Sequence, residues 1–132
     1  MEGKYWDHRA TGELLNVQAA NQSLAQCVMP QKNGLYIVRF IAHGSTFNKV
    51  RLLCRIRGET APSLDSNLRT HVMSSTPAPL DWEIIVGPIM DPATSFAQLI
   101  ILDPMSAGDT MEGSVFARFL GGIEFTVGLV GT

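Results

Sequence analysis

The chain has 132 residues, a formal net charge of −2, and 45% hydrophobic but only 17% charged residues. That length makes a single domain over 1–132 with one core, and the net charge excludes bulk attraction to nucleic-acid phosphate. A charged fraction below the roughly 25% usual in globular chains cannot clothe the whole exterior in polar groups, so part of the surface is expected to lie against a partner.

The opening MEGKYWDHRATG has no basic region leading into an apolar core and predicts no signal peptide. No apolar run approaches the length of a membrane span, so synthesis in the cytoplasm without a membrane partner is expected. Tyr5 and Trp6 stand in this polar stretch, ahead of the first strand. ELLNVQA and SLAQCVM read as strands on either side of Asn21-Gln22, the second ended by Pro30. GLYIVRFIAHG, rich in β-branched and aromatic residues, opens after KNG and closes at Gly44; the residues from Gly44 to Asn48 predict a hairpin loop.

The next stretch, KVRLLCRIRG, alternates strictly. Val50, Leu52, Cys54 and Ile56 point to a core, whereas Lys49, Arg51, Leu53, Arg55 and Arg57 point away. LRTHVMS follows the polar loop GETAPSLDSN. PLDWEIIVG sets Leu80, Trp82, Ile84 and Val86 against Asp81 and Glu83, which makes Trp82 a core residue. SFAQLIIL is apolar throughout, as a strand covered on both sides is. GSVFARFL and GIEFTVGLV follow, joined at Gly121-Gly122, a pair suited to a two-residue turn. About nine short strands, with turn chemistry between them and no helical period, predict an all-β chain folded as an antiparallel β-sandwich of jelly-roll type.

No motif for catalysis stands out. His8, His43 and His71 are isolated, without the short spacing of a zinc site. There is no G-x-S-x-G elbow, phosphate loop or Cys-His pair at a known family spacing, and no carboxylate pair is singled out for glycoside hydrolysis. Asp91-Pro92 and Asp103-Pro104 read as turn starters. Asp109 and Glu112 bracket AGDTMEG, which reads as a solvated turn in preference to a calcium loop. Cys27 and Cys54 lie in separate strands and are expected as buried free thiols. No catalytic residue, metal or cofactor is expected.

The comb of Lys49, Arg51, Arg55 and Arg57 covers one strand face over roughly 27 Å, at about 3.4 Å per residue. In its simplest form such a face is solvated, with some charge meeting Asp81 or Glu83 across the sheet. As a binding surface it suits an acidic protein, because Arg favours interface ion pairs. Without neighbouring aromatic rings to stack on bases, it does not suit nucleic acid.

The segment PLDWEIIVGPIMDPATSFAQLIILDPMSAGDT resembles the second half of carbohydrate-binding-module β-sandwiches, where a Trp-led strand, a loop, an apolar strand and a Gly-Asp turn follow one another. LNVQAANQSLAQCVMPQKNGLYIVRFIAHGS resembles the opening of the same family, with a glycine before a YIVRF strand. In size, inferred fold and composition the chain also looks like the cement or decoration proteins of tailed-phage capsids. That second resemblance implies a non-enzymatic virion structural protein on the capsid surface, assembled as a dimer or trimer and clamped to the major capsid protein. In that reading apolar faces around Phe116, Leu120 and Val130 meet a second copy, Tyr5 and Trp6 pin the N-terminal stretch to a neighbouring subunit, and the comb docks on acidic capsid surface. The alternative is a carbohydrate-binding or host-adhesion module in which Tyr5, Trp6 or Tyr36 stacks on a glycan.

Overall fold

The computed structural model of the chain describes residues 5–15, 21–30, 32–45, 49–58, 66–73, 79–89, 95–105 and 108–122. Eight strands run through them: β1 (His8–Leu15), β2 (Gln22–Val28), β3 (Gly34–Ser45), β4 (Val50–Gly58), β5 (Ser66–Met73), β6 (Leu80–Ile89), β7 (Ser95–Ile101) and β8 (Thr110–Gly122). They form two antiparallel sheets of four, ordered β1-β8-β3-β6 and β2-β7-β4-β5. This is the expected β-sandwich.

Alternation builds the core. From β3, Tyr36, Val38, Phe40 and Ala42 turn inward; from β4, Val50, Leu52, Cys54 and Ile56 meet them from the other sheet, and all eight are buried. The valine, leucine, isoleucine and phenylalanine side chains among them each contribute roughly 1.5–3 kcal/mol when fully removed from water. Trp82 follows the predicted inward set and lies against Phe40, ring centres 6.1 Å apart and nearly parallel. β7, between β2 and β4, is buried on both faces, Gln98 and Ile100 as well as Ala97, Leu99 and Ile101, as its unbroken apolar sequence predicts.

Three local expectations are corrected. β3 and β4 are not a hairpin: they lie in opposite sheets, because crossing over brings their two apolar faces together, whereas pairing would set them side by side. Gly121 and Gly122 are not a turn but ladder partners of Leu35 and Gly34, since β8 runs as far as β3 does and absorbs Leu120 as an extra residue. The first strand begins at His8, ahead of ELLNVQA, because its register with β8 starts at His8 opposite Ala117. The predicted strand GIEFTVGLV, with Val130, lies outside the described residues.

Gly12 of β1 stands opposite Gly113 of β8, and Leu24 of β2, in the other sheet, enters the notch they leave. A Cβ on Gly12 would lie 1.7 Å from the Leu24 carbonyl oxygen, and one on Gly113 would lie 2.5 Å from the Leu24 Cδ2. Leu24 itself is the residue displaced at the bulge in the β2–β7 ladder.

Both Gly12→Ala and Gly113→Ala are therefore expected to lower stability by roughly 1–3 kcal/mol or more in urea unfolding. Leu24→Ala should relieve Gly113→Ala, whose methyl meets a side chain, and fail to relieve Gly12→Ala, whose methyl meets backbone. Equal rescue of both would refute this account of the notch.

Candidate functional site

β8 and β1 carry the residues of interest on their solvent side. Period two sets Phe116 and Arg118 on the outer face of β8, and the ladder brings Arg9 of β1 directly opposite Phe116. Ahead of β1 the chain stays on this face. The Asp7 amide donates to the Ala117 carbonyl at 3.0 Å, and the Phe119 amide donates to Asp7 Oδ2 at 2.7 Å. These two bonds seat Tyr5 and Trp6 beside Phe116. The Tyr5 and Trp6 rings meet edge to face at 4.8 Å between centres, and Trp6 lies 5.4 Å from Phe116, tilted 41°. Tyr5 is 44% exposed, while Trp6 and Phe116 are half-buried.

Two guanidiniums flank the rings. The Arg118 guanidinium carbon is 4.5 Å from the centre of Tyr5, and that of Arg9 is 6.0 Å from the centre of Phe116. Both lie in the range where an aromatic face attracts a cation. The rings expected to pin the N-terminal stretch to a neighbouring subunit thus pack on the chain's own β8. Tyr36, weighed as a third stacking ring, is corrected to a core residue: it is fully buried, and its one hydroxyl proton is shared between the Pro30 and Lys32 carbonyls.

The comb lies on the other sheet and is largely engaged. Arg51 donates from Nε to Asp103 Oδ2 at 2.9 Å and from Nη2 to Oδ1 at 2.8 Å, and its backbone amide adds a bond to Oδ2 at 2.9 Å. Arg55 Nε donates to Gln98 Oε1 at 3.0 Å, and Gln98 donates in turn to Ser23 and Gln26. Lys49 is exposed, and the Arg57 side chain is not among those described. The expected meeting with Asp81 or Glu83 does not occur, because those acids belong to β6 in the opposite sheet. There Arg39 holds Asp81 in a two-pronged pair, both bonds at 2.8 Å. Asp103-Pro104, read as a local turn starter, spends its carboxylate on β4.

Hydrogen bonds from the arginines hold the carboxyls of Asp81 and Asp103 below the usual range. A carboxyl depressed in the folded state stabilises above its unfolded pKa, and that contribution disappears as pH falls through the folded value. Stability of the natural chain should therefore decline below about pH 4, and the double change Asp81→Asn, Asp103→Asn should flatten that part of the profile of urea midpoints. An unaltered profile would show that neither pair couples to folding.

Two of the histidines have partners within the fold. His8 Nδ1 donates to the Val28 carbonyl at 3.0 Å, and His43 Nε2 lies 2.9 Å from Glu112 Oε1. Asp109 is buried, and Glu112 projects from β8 toward His43, so the two acids of AGDTMEG point apart. Among the described residues no trio of His, Cys, Asp or Glu converges on a metal position. Cys27 and Cys54 are free and buried, two strands apart with β7 between them and facing Ala97 and Leu99 of that strand, a separation of more than roughly 9–10 Å that no disulfide spans. Burial pushes the Cys27 thiol to about 11 and the Cys54 thiol to about 12. At about pH 8 neither should react with a thiol reagent in the folded protein, and both should react at once on unfolding. A thiol titrating before unfolding would contradict the core described above.

Arg9, Arg118 and Asp7 were not singled out from the sequence. Arg118 was within reach, since it shares a strand face with Phe116 by simple alternation. Arg9 was not, because its place depends on the β1–β8 register.

No family model and no curated protein sequence matches the chain. Among solved structures it is similar to the globular domain of zebrafish complement 1qA protein, with a TM-score of 0.61 at 7% identity, covering 87% of this chain and 97% of that one. It is also similar to the N-terminal cellulose-binding domain of Cellulomonas fimi β-1,4-glucanase C, with a TM-score of 0.40 at 15% identity, over 87% of this chain and 90% of that one. A further likeness, to a CBM4 structure, has a TM-score of 0.37 at 14% identity, over 85% of this chain and 81% of that one. The complement domain shares the fold of this chain, and none of the three is a capsid protein.

Proposed function

We propose that the protein is a non-catalytic binding module that recognises carbohydrate, in an adhesive or targeting role, through Tyr5, Trp6 and Phe116. One observation carries this reading: three aromatic rings in contact, at 4.8 and 5.4 Å between centres, on the solvent side of a rigid sheet. A β-sandwich hosts many activities, so the site and not the fold must supply the argument. Aromatic rings present large apolar area at little entropic cost, and the apolar C–H face of a pyranose is a matching surface. Two hydrogen bonds through Asp7, one from its amide and one to its carboxylate, hold Tyr5 and Trp6 in place before any ligand arrives, which lowers the ordering cost of binding.

A glycan array should give saturable binding. Trp6→Ala and Phe116→Ala should each weaken it about tenfold or more, the loss of an anchor worth about 1.4 kcal/mol. Val72→Ala, exposed on the opposite sheet, should leave it unchanged. Silence across the array, or binding indifferent to these rings, would remove the reading.

A second reading, an assembly protein seated on a viral capsid, rests on a different feature of the same sheet. Ile85 is 59% exposed and stands opposite the half-buried Ile37, and Leu120 is 40% exposed at the β8 bulge. Apolar side chains of this kind favour contact with a second copy or a capsid subunit. Sedimentation velocity at rising concentration tests it: a dimer or trimer dissolved by Ile85→Glu supports it, and a monomer throughout counts against it.

A further inference from the structure

Arginines on this molecule differ in what they touch: Arg55 bonds the Gln98 side chain, and the Arg69 guanidinium carbon lies 5.3 Å from the centre of Trp82. Arg39 and Arg51 are each locked to a carboxylate, Asp81 and Asp103, with both prongs of the guanidinium used. Arg9 and Arg118 are not. Among the described residues no carboxylate lies within ion-pair distance of either, and their recorded partners are the rings of Phe116 and Tyr5. The nearest acids on this face are otherwise placed. Asp7 turns an oxygen to the Phe119 amide, and Glu83 stands two strands from Phe116, next to the Arg39–Asp81 pair.

The spacing is also informative. Arg9 is opposite Phe116, and Arg118 is two residues farther along β8, so the two arginines are diagonal neighbours across the β1–β8 ladder. Such positions lie roughly 7–8 Å apart at the backbone, so both side chains rise from one patch of the sheet. Neither guanidinium has an ion-pair partner among the described residues, so each keeps its positive charge for an outside anion. An arginine resting on an aromatic face keeps its N–H edge for an outside acceptor and binds carboxylate or sulfate in two-pronged fashion.

Resting on the reading of Tyr5, Trp6 and Phe116 as a sugar-stacking surface, we infer that the ligand is an anionic saccharide, a carboxylated or sulfated sugar whose acid groups are taken by Arg9 and Arg118. The rings accept the apolar faces of the sugar and the two guanidiniums select its charge. The chain as a whole is acidic, with a net charge of −2, so this selection is local and is not a general affinity for polyanions.

The test compares four probes by titration calorimetry on the full chain: a sulfated heparin-derived hexasaccharide, an oligogalacturonate, a neutral cello-oligosaccharide and a poly-glutamate peptide. At least one of the two anionic sugars should bind tenfold or more tighter than the neutral one, and its affinity should fall as salt rises. Arg9→Gln with Arg118→Gln should abolish the anionic advantage and leave weak neutral binding in place. Both side chains lie on the surface, and the salt dependence of the unmodified chain tests the same point independently of any variant. Equal binding of neutral and anionic sugars, or an arginine-independent preference, overturns the inference while leaving the stacking surface intact. Poly-glutamate binding as tightly, with the same arginine dependence, also overturns it and makes the ligand an acidic protein. No sugar binding at all removes the stacking surface itself, and the inference with it.

Discussion

One leucine and two missing side chains join β2 of one sheet to β1 and β8 of the other. Leu24, pushed out of line by the bulge in β2, fills the space above Gly12 and Gly113, and any Cβ at either glycine would collide with it. The contact fixes the distance between β1 and β2 and holds β1 flat along β8. Everything on the solvent side of β1 and β8 then follows from backbone geometry. Asp7 falls into register with Ala117 and Phe119, and the two residues before it have nowhere to go but over Phe116. A close-packed interior transmits such a constraint because it has little room to relax.

Ion pairing on this molecule works less as glue than as bookkeeping of charge. The Arg39–Asp81 and Arg51–Asp103 pairs are at the surface, where a pair contributes little to stability. Their effect is to neutralise the outside of each sheet at one place; on the β4 face that place is Arg51, while Lys49 is exposed and Arg55 bonds the neutral amide of Gln98. The positive charge left without an acid partner on the face of β1 and β8 then stands beside its aromatic rings. Aromatic rings, exposed aliphatic side chains and unpaired arginines occur together on the β1-β8-β3-β6 sheet. This is the composition by which binding surfaces differ from the rest of an exterior.

Much of the fold was legible locally. Strict alternation in VRLLCRI identified the four inward residues of β4, the unbroken apolar run of β7 announced a strand covered on both faces, and Trp82 was placed with Leu80 on the inner side of β6. Alternation also puts Tyr36 with Val38 and Phe40, so its removal from the list of stacking rings needs nothing beyond the strand's own period. The errors have a common cause. A hairpin at Gly44 to Asn48 and a turn at Gly121-Gly122 both assume that strands adjacent in sequence pair with one another. Among the described strands the chain changes sheets at nearly every connection, and only β4 and β5 pair as consecutive strands.

What the sequence by itself determined was therefore which side chains face inward, that the chain is all β, and that its two cysteines sit in separate strands as free thiols. These depend on the period of a single strand, which neighbouring residues dictate. Only the tertiary structure decided which strands lie side by side and in what register: that Arg51 reaches Asp103, that Arg9 stands opposite Phe116, and that Tyr5 and Trp6 fold back onto β8. Those pairings join residues about 50 to more than 100 positions apart. They are chosen by how two greasy faces and a glycine notch close on each other, a choice that no short window of residues contains.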